Sequence, residues 1–197
     1  FTRISATVLG QHSYLKAIDT YAAKIYILNP EERQIYRYNR TGASLSAPYA
    51  WVQENIGLEA AVDLAIDGNI YVLLGDGQAK KLLRGEDTDF RLELSDPPLA
   101  KPTRIATTPE GDYLYILEPD GKRLVVYDKE GQFIGQYYAD KFTELTDFAV
   151  QMLAYGRAVR ADFIVDAAMV SRLHCRLTAQ PTGQLEIEDL QSTNGTY

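Results

Sequence analysis

The chain of 197 residues carries 20 Lys and Arg against 27 Asp and Glu, a net charge of −7 at pH 7; this acidic balance argues against a nucleic-acid partner, whose phosphates need a basic face. Hydrophobic residues make up 46% and charged residues 24%, the composition of a globular protein with a core. No apolar run approaches the roughly 20 residues of a membrane-spanning helix, and the single cysteine, Cys175, excludes an internal disulfide.

The N-terminus has neither an initiator methionine nor the basic-then-apolar pattern of a secretory signal, so Phe1 is not expected to be the natural start. The expectation is a cytoplasmic protein, or the soluble part of a larger membrane-associated one, without membrane insertion.

From Lys24 onward one phrase returns three times. Lys24-Ile25-Tyr26-Ile27-Leu28 leads through a turn to Gln34-Ile35-Tyr36-Arg37-Tyr38. Asn69-Ile70-Tyr71-Val72-Leu73 leads through Gly75-Asp76-Gly77 to Ala79-Lys80-Lys81-Leu82-Leu83. Tyr113-Leu114-Tyr115-Ile116-Leu117 leads through Asp120-Gly121 to Arg123-Leu124-Val125-Val126-Tyr127. Tyr26, Tyr71 and Tyr115 stand 45 and then 44 residues apart.

Each unit reads as strand, tight turn, strand, with a further strand upstream: Ile18-Asp19, residues 61–66, and residues 102–106. Hairpins at Asp67-Gly68 and Glu110-Gly111 join the second and third of these to the tyrosine-bearing strand. A period in the forties built from such strands predicts β-propeller blades. Of 14 tyrosines, 12 precede residue 151, which suits stacked blade faces whose hydroxyls reach water.

The blades resemble those of NHL-type and related six-bladed propellers, and the repeat region that follows PP2C-like phosphatase domains in some bacterial proteins. Three blades do not close a ring, which takes about four to eight. A fourth unit begins at residues 145–150, echoing 61–66, and then gives way without a Gly/Pro/Ser-rich linker. The expected organisation is an incomplete propeller over 1–150 and a second module over 151–197, either a fragment or a join of two partial modules.

Little in the repeats suggests chemistry. Gly75-Asp76-Gly77 with Lys80-Lys81 lacks the following helix that a phosphate-binding loop needs, and reads as a hairpin. Asp19, Asp63 and Asp147 recur at matching blade positions, either ringing a central channel or capping strands, while Arg104 takes the aspartate's place in the third unit. That replacement weakens a metal site. No His-Glu-x-x-His, paired-cysteine or Gly-x-Ser-x-Gly pattern occurs. No catalytic residue, metal or cofactor is expected.

In the last forty or so residues, 163–165, 175–178 and 185–188 are short strand-like runs separated by turn chemistry. Gly156-Arg157, Ser171-Arg172-Leu173-His174 and Ser192-Thr193-Asn194-Gly195 follow in order, with 14 residues from Arg157 to Ser171 and 23 from Ser171 to Asn194. All four basic residues after residue 150 are arginines, the side chain suited to bidentate phosphate contacts. Cys175 follows His174 on a predicted strand, where neighbours point to opposite faces, and reads as a core thiol rather than half of a nucleophile pair.

These motifs resemble the forkhead-associated (FHA) domain, a phosphothreonine-reading β-sandwich. The resemblance implies that Arg157 and Ser171 are the main phosphate ligands, with Arg172 and Thr193 close to the same anion. It implies that Asn194 hydrogen-bonds the backbone of the bound peptide. Gly156, His174 and Gly195 are implied to be architectural.

The fold class expected is all-β: a partial propeller of about three blades followed by a truncated FHA-type sandwich. The function expected is a non-enzymatic phosphothreonine-peptide adaptor on a protein-interaction scaffold. Its partners would be a phosphothreonine-containing protein or peptide, and a Ser/Thr kinase or PP2C-like phosphatase. The alternative is a propeller sensor or regulatory region of a bacterial PP2C-like phosphatase protein, non-catalytic in this chain. An enzyme on a propeller scaffold is a third reading, with no catalytic constellation behind it.

Overall fold

The computed structural model describes residues 14–42 and 44–155 and the strands 158–166, 175–179 and 185–189, which form four successive antiparallel sheets. The first holds β1 (Ala17–Tyr21), β2 (Lys24–Asn29), β3 (Gln34–Thr41) and β4 (Ser44–Leu45), with β5 (Tyr49–Ala50) also pairing on β3. The second holds β6 (Ala61–Ile66), β7 (Ile70–Leu74), β8 (Ala79–Leu83) and β9 (Glu86–Asp87). The third holds β10 (Arg104–Ala106), β11 (Tyr113–Glu118), β12 (Arg123–Asp128) and β13 (Phe133–Tyr138). A short 3-10 helix, Asp140–Glu144, leads to the fourth: β14 (Asp147–Tyr155), β15 (Ala158–Asp166), β16 (Cys175–Ala179) and β17 (Leu185–Asp189).

Strand periodicity explains how the sheets stack. Successive side chains on a strand point to opposite faces, so a blade between two others needs apolar residues at every position. In β7, Ile70 and Val72 join the core shared with the first sheet, where Leu28, Ile35 and Trp51 meet Leu64 and Leu82. Its intervening residues, Tyr71 and Leu73, face the other way onto Ile105, Leu114 and Ile116 of the third sheet. The same division recurs in β11: Leu114 and Ile116 pack toward the second sheet, whereas Leu117 packs with Leu124, Leu145 and Phe148 toward the fourth. Burying each such side chain contributes about 1.5–3 kcal/mol.

The expected strands are present, and each repeat gains an outer strand that the sequence reading lacked: β4 and β5, β9, and β13. The unit expected to begin at 145–150 becomes a complete fourth sheet, and its first strand runs unbroken from Asp147 to Tyr155. The Gly75–Gly77 stretch is the β7–β8 hairpin. Its Gly77 amide donates to the Leu74 carbonyl at 3.1 Å, and the Asp76 carboxylate accepts from the Gln78 amide at 3.0 Å.

A buried ion pair anchors the crossing from the second sheet to the third. Arg123 Nε donates to Glu118 Oε2 at 2.7 Å, and its terminal nitrogens donate to the carbonyls of Pro97 and Pro98 at 2.7 and 2.9 Å. Glu118 Oε1 in turn accepts the amides of Ala100 and Lys101 at 2.6 and 2.9 Å. The connection before β10 is thereby tied to the β11–β12 hairpin.

Candidate functional site

Two places in the chain concentrate polar side chains with a recognisable pattern: the inner strands of the arc, and the connections of the fourth sheet. On the inner strands, β6 and β10 present Asp63 and Arg104 at equivalent register positions, opposite Leu73 and Leu117, and β14 begins with Asp147. Asp19 of β1 pairs with Tyr26, two residues further along, so the expected match of Asp19 with Asp63 does not hold and Ala17 takes that place. Arg104 Nη1 lies 3.0 Å from Asp63 Oδ1, and its Nη2 and Nε each lie 2.8 Å from Asp147 Oδ1. Asp63 Oδ2 also accepts the Ile105 amide at 2.8 Å, so one carboxylate ties β6 to both side chain and backbone of β10.

Burial sets the electrostatics of this group. The Asp63 side chain is 3% exposed, against 33% for Arg104 and 51% for Asp147. Burial pushes the Asp63 carboxyl up to about 6, opposed by Arg104 and by the amides of Ile105 and Leu64. Burial also raises Asp19, against the amides of Thr20 and Ile66 and the more distant charge of Arg104. Arginine in the third unit is thus the counter-charge of its neighbours. Two carboxylates, Asp63 and Asp147, are tied strand to strand by one guanidinium, and among the described residues no group of three or more His, Cys, Asp or Glu could hold a metal ion. The sequence shows Arg104 only as a lost aspartate; the signal was the Asp, Arg, Asp order of Asp63, Arg104 and Asp147 in successive units.

In the fourth sheet the strands expected at 163–165, 175–178 and 185–188 lie within β15, β16 and β17. Gly156 and Arg157 come between β14 and β15, Ser171, Arg172 and His174 between β15 and β16, and Thr193, Asn194 and Gly195 after β17. All eight lie outside the described residues. The strand ends around them are defined by the register. Asp147 pairs with Asp166, Asp162 with Thr178, and Cys175 with Asp189. Asp166, Cys175 and Asp189 therefore share one end of the sheet. The Ser171–His174 connection joins two of these ends, and the Thr193–Gly195 stretch follows the third. Tyr155 pairs with Ala158 at the opposite end of the β14–β15 hairpin, about 26 Å from Asp166 at about 3.3 Å per residue.

The FHA domain family model matches residues 154–197. That segment is similar to FHA domains. No curated protein matches the chain significantly. Among solved structures, the chain is similar to Myxococcus xanthus glutaminyl cyclase, with a TM-score of 0.57 at 11% identity over 90% of this chain and 74% of that one. It is similar to BBS1N in its complex with ARL6DN, with a TM-score of 0.56 at 15% identity, covering 92% of this chain and 67% of that one. It is also similar to a chain of the nidogen/laminin complex, with a TM-score of 0.53 at 18% identity, covering 90% of this chain and 66% of that one. At such identities the likeness is one of fold, and the arc of stacked sheets is of the β-propeller type. Among the described residues, no helix is long and apolar enough to cross a membrane.

Proposed function

We propose that the chain is a non-enzymatic phosphothreonine-peptide-binding module carried on a β-propeller scaffold, with the arc over 1–150 and the reading segment over 151–197. The observation that carries this is the FHA match at 154–197 over residues whose types suit the ligand. A phosphothreonine presents nearly two negative charges and three acceptor oxygens, which a guanidinium fork and neutral hydroxyl and amide donors satisfy. Arg157 and Ser171 are the principal phosphate ligands, Arg172 and Thr193 flank the same anion, and Asn194 holds the peptide backbone. Gly156, His174 and Gly195 shape the loops.

The shared sheet end of Asp166, Cys175 and Asp189 supports the convergence of the Ser171 and Asn194 stretches. Tyr155 and Ala158 pair at the other end, so a phosphate shared by Arg157 and Ser171 requires the 167–174 connection to reach back along the sheet toward Arg157. Charge-assisted bonds contribute about 1.5–3 kcal/mol each, so a few of them, less the ordering of a peptide, give an affinity on the order of micromolar. The mark itself implies a Ser/Thr kinase that writes it and a phosphatase, in this reading PP2C-like, that removes it.

Fluorescence anisotropy with matched Thr, phosphothreonine and phosphoserine peptides tests the proposal. Phosphothreonine should bind best, with phosphoserine weaker by the roughly 0.8 kcal/mol of one buried methyl; equal binding of all three ends the reading. Arg157→Ala and Ser171→Ala should each abolish binding with the circular dichroism unchanged, and a variant that unfolds instead assigns that residue to structure.

A further inference from the structure

The fourth sheet has a polar attachment to the arc that its apolar contacts alone do not supply. Among the described residues, Leu145 and Phe148 pack against Leu117 and Leu124. Beside them, the guanidinium of Arg104 spans from β6 to β14, lying 3.0 Å from Asp63 Oδ1 and 2.8 Å from Asp147 Oδ1. The geometry is directional. Asp63 is held in place by the Ile105 amide at 2.8 Å, so it presents a fixed oxygen that orients the guanidinium. The remaining fork edge reaches Asp147, the first residue of β14, through both Nε and Nη2. A planar guanidinium can hold two carboxylates on two edges at once, which a compact ammonium does less well.

We propose that Arg104 is a positioning residue: clamped between Asp63 and Asp147, it fixes the start of β14, and through that strand the peptide-reading segment, against the propeller arc. The coupling to peptide affinity rests on the phosphopeptide reading above; the attachment of β14 does not. Asp147 is half exposed and Arg104 one-third exposed, so the outer half of the clamp is open to solvent ions, while the Asp63 half is sheltered. Salt should weaken the attachment of β14 and leave the β6–β10 tie largely in place.

Native-state hydrogen exchange on the full chain decides this, with the amides of β7 and β8 as internal reference. Arg104→Met should speed exchange across β14 about tenfold while β7 and β8 stay slow. Asp147→Asn, which spares the Asp63–Arg104 contact, should do the same, and it keeps the test open if the Arg104 variant is globally unstable. Arg104→Lys should restore part of the protection. Raising salt from about 0.1 to about 1 M, which shortens the screening length from about 10 to about 3 Å, should move wild-type β14 toward the Asp147→Asn value and leave that variant unchanged. Loss of packing alone predicts no such response. Unchanged β14 exchange in both variants overturns the proposal, as does equal salt sensitivity in wild type and Asp147→Asn. The same proteins titrated with phosphothreonine peptide should bind about three- to tenfold more weakly when the clamp is cut; unchanged affinity removes the coupling. A wild-type chain that binds no phosphopeptide sinks the functional reading, and exchange still decides the clamp.

Discussion

Glu118 and Arg123 are 4% and 1% exposed and share a 2.7 Å contact, and each side chain is also met by the chain it anchors. Cutting such a pair on one side leaves a buried charge without its partner, which costs about 3–5 kcal/mol. Arg123→Met should therefore lower the urea midpoint severely, and Glu118→Gln should do so less, since the amide oxygen can still accept the Ala100 and Lys101 N–H groups. Near-wild-type stability in Arg123→Met would show that neither the ion pair nor the bonds from its guanidinium to the two proline carbonyls hold the connection. The two carboxyls Glu118 and Asp63 also oppose each other in pH. Burial raises Glu118, but the amides of Lys101 and Ala100 and the charge of Arg123 outweigh it and hold the group below its ordinary value. Its contribution is present above about pH 4.5 and is lost as pH falls through the lowered value. Asp63 sits at about 6 against an ordinary 3.8, so between those values the folded chain binds more protons and gains stability as pH falls. Stability should rise from pH 7 toward 5 and fall below pH 4.5. In Asp63→Asn the rise should shrink to the part that Asp19 supplies; a rise of undiminished size would assign it elsewhere.

Turns and edges decide which elements were legible. The 45- and 44-residue spacing of Tyr26, Tyr71 and Tyr115 exposed the blades because the middle strands are apolar at successive positions and bounded by Gly and Asp. The outer strands left no such trace: Ser44–Leu45, Tyr49–Ala50 and Glu86–Asp87 are two residues long, too short for a period. In Phe133–Tyr138 the exposed residues Ile134 and Tyr138 are themselves apolar, so the sequence has no apolar–polar alternation to read. Gly77 shows what a legible turn hides. Its glycine reads as ordinary hairpin chemistry, but with φ at +91° a β-carbon there would lie 2.8 Å from Leu99 Cβ and run into the Leu99 carbonyl oxygen. The turn is packed from outside by the connection to the third sheet. Gly77→Ala combines backbone strain of about 1–3 kcal/mol with that overlap and should lower Tm by roughly 4–8 °C in a chain of this length. A shift under a degree in a melting experiment would mean that the 95–101 connection moves aside freely.

Among the described residues, the main strand contacts between sheets run between sheets adjacent in sequence. One buried seam joins the first and second sheets and another the second and third, and among the described residues Leu145 and Phe148 pack on Leu117 and Leu124 of the third sheet. Stability in such stacks is a sum of local seams, so one seam can be loosened without opening the distant ones. Phe148→Ala, a loss of about 3–5 kcal/mol where it packs, should expose β14 to exchange while the amides of β2 and β7 keep wild-type protection. Simultaneous loss of protection in all four sheets would mean a single cooperative unit. At this scale the sequence revealed the arc through its repeats and the FHA-like segment through loop motifs. It did not reveal how they are joined, because the joint is made by Arg104, Asp63 and Asp147 from three separate repeats, and contact between strands about forty residues apart has no local signature.

Asp147–Tyr155 is a single nine-residue strand that serves as inner strand of the last blade and as lead-in to the segment beginning at residue 154. Strand faces alternate with every residue, so deleting or inserting one residue between Phe148 and Tyr155 would turn everything downstream inside out relative to the arc, whereas two residues would only slide it along. Any lineage or graft that exchanges the FHA-like segment on this scaffold must therefore keep the parity of that strand, even where it keeps none of its residues.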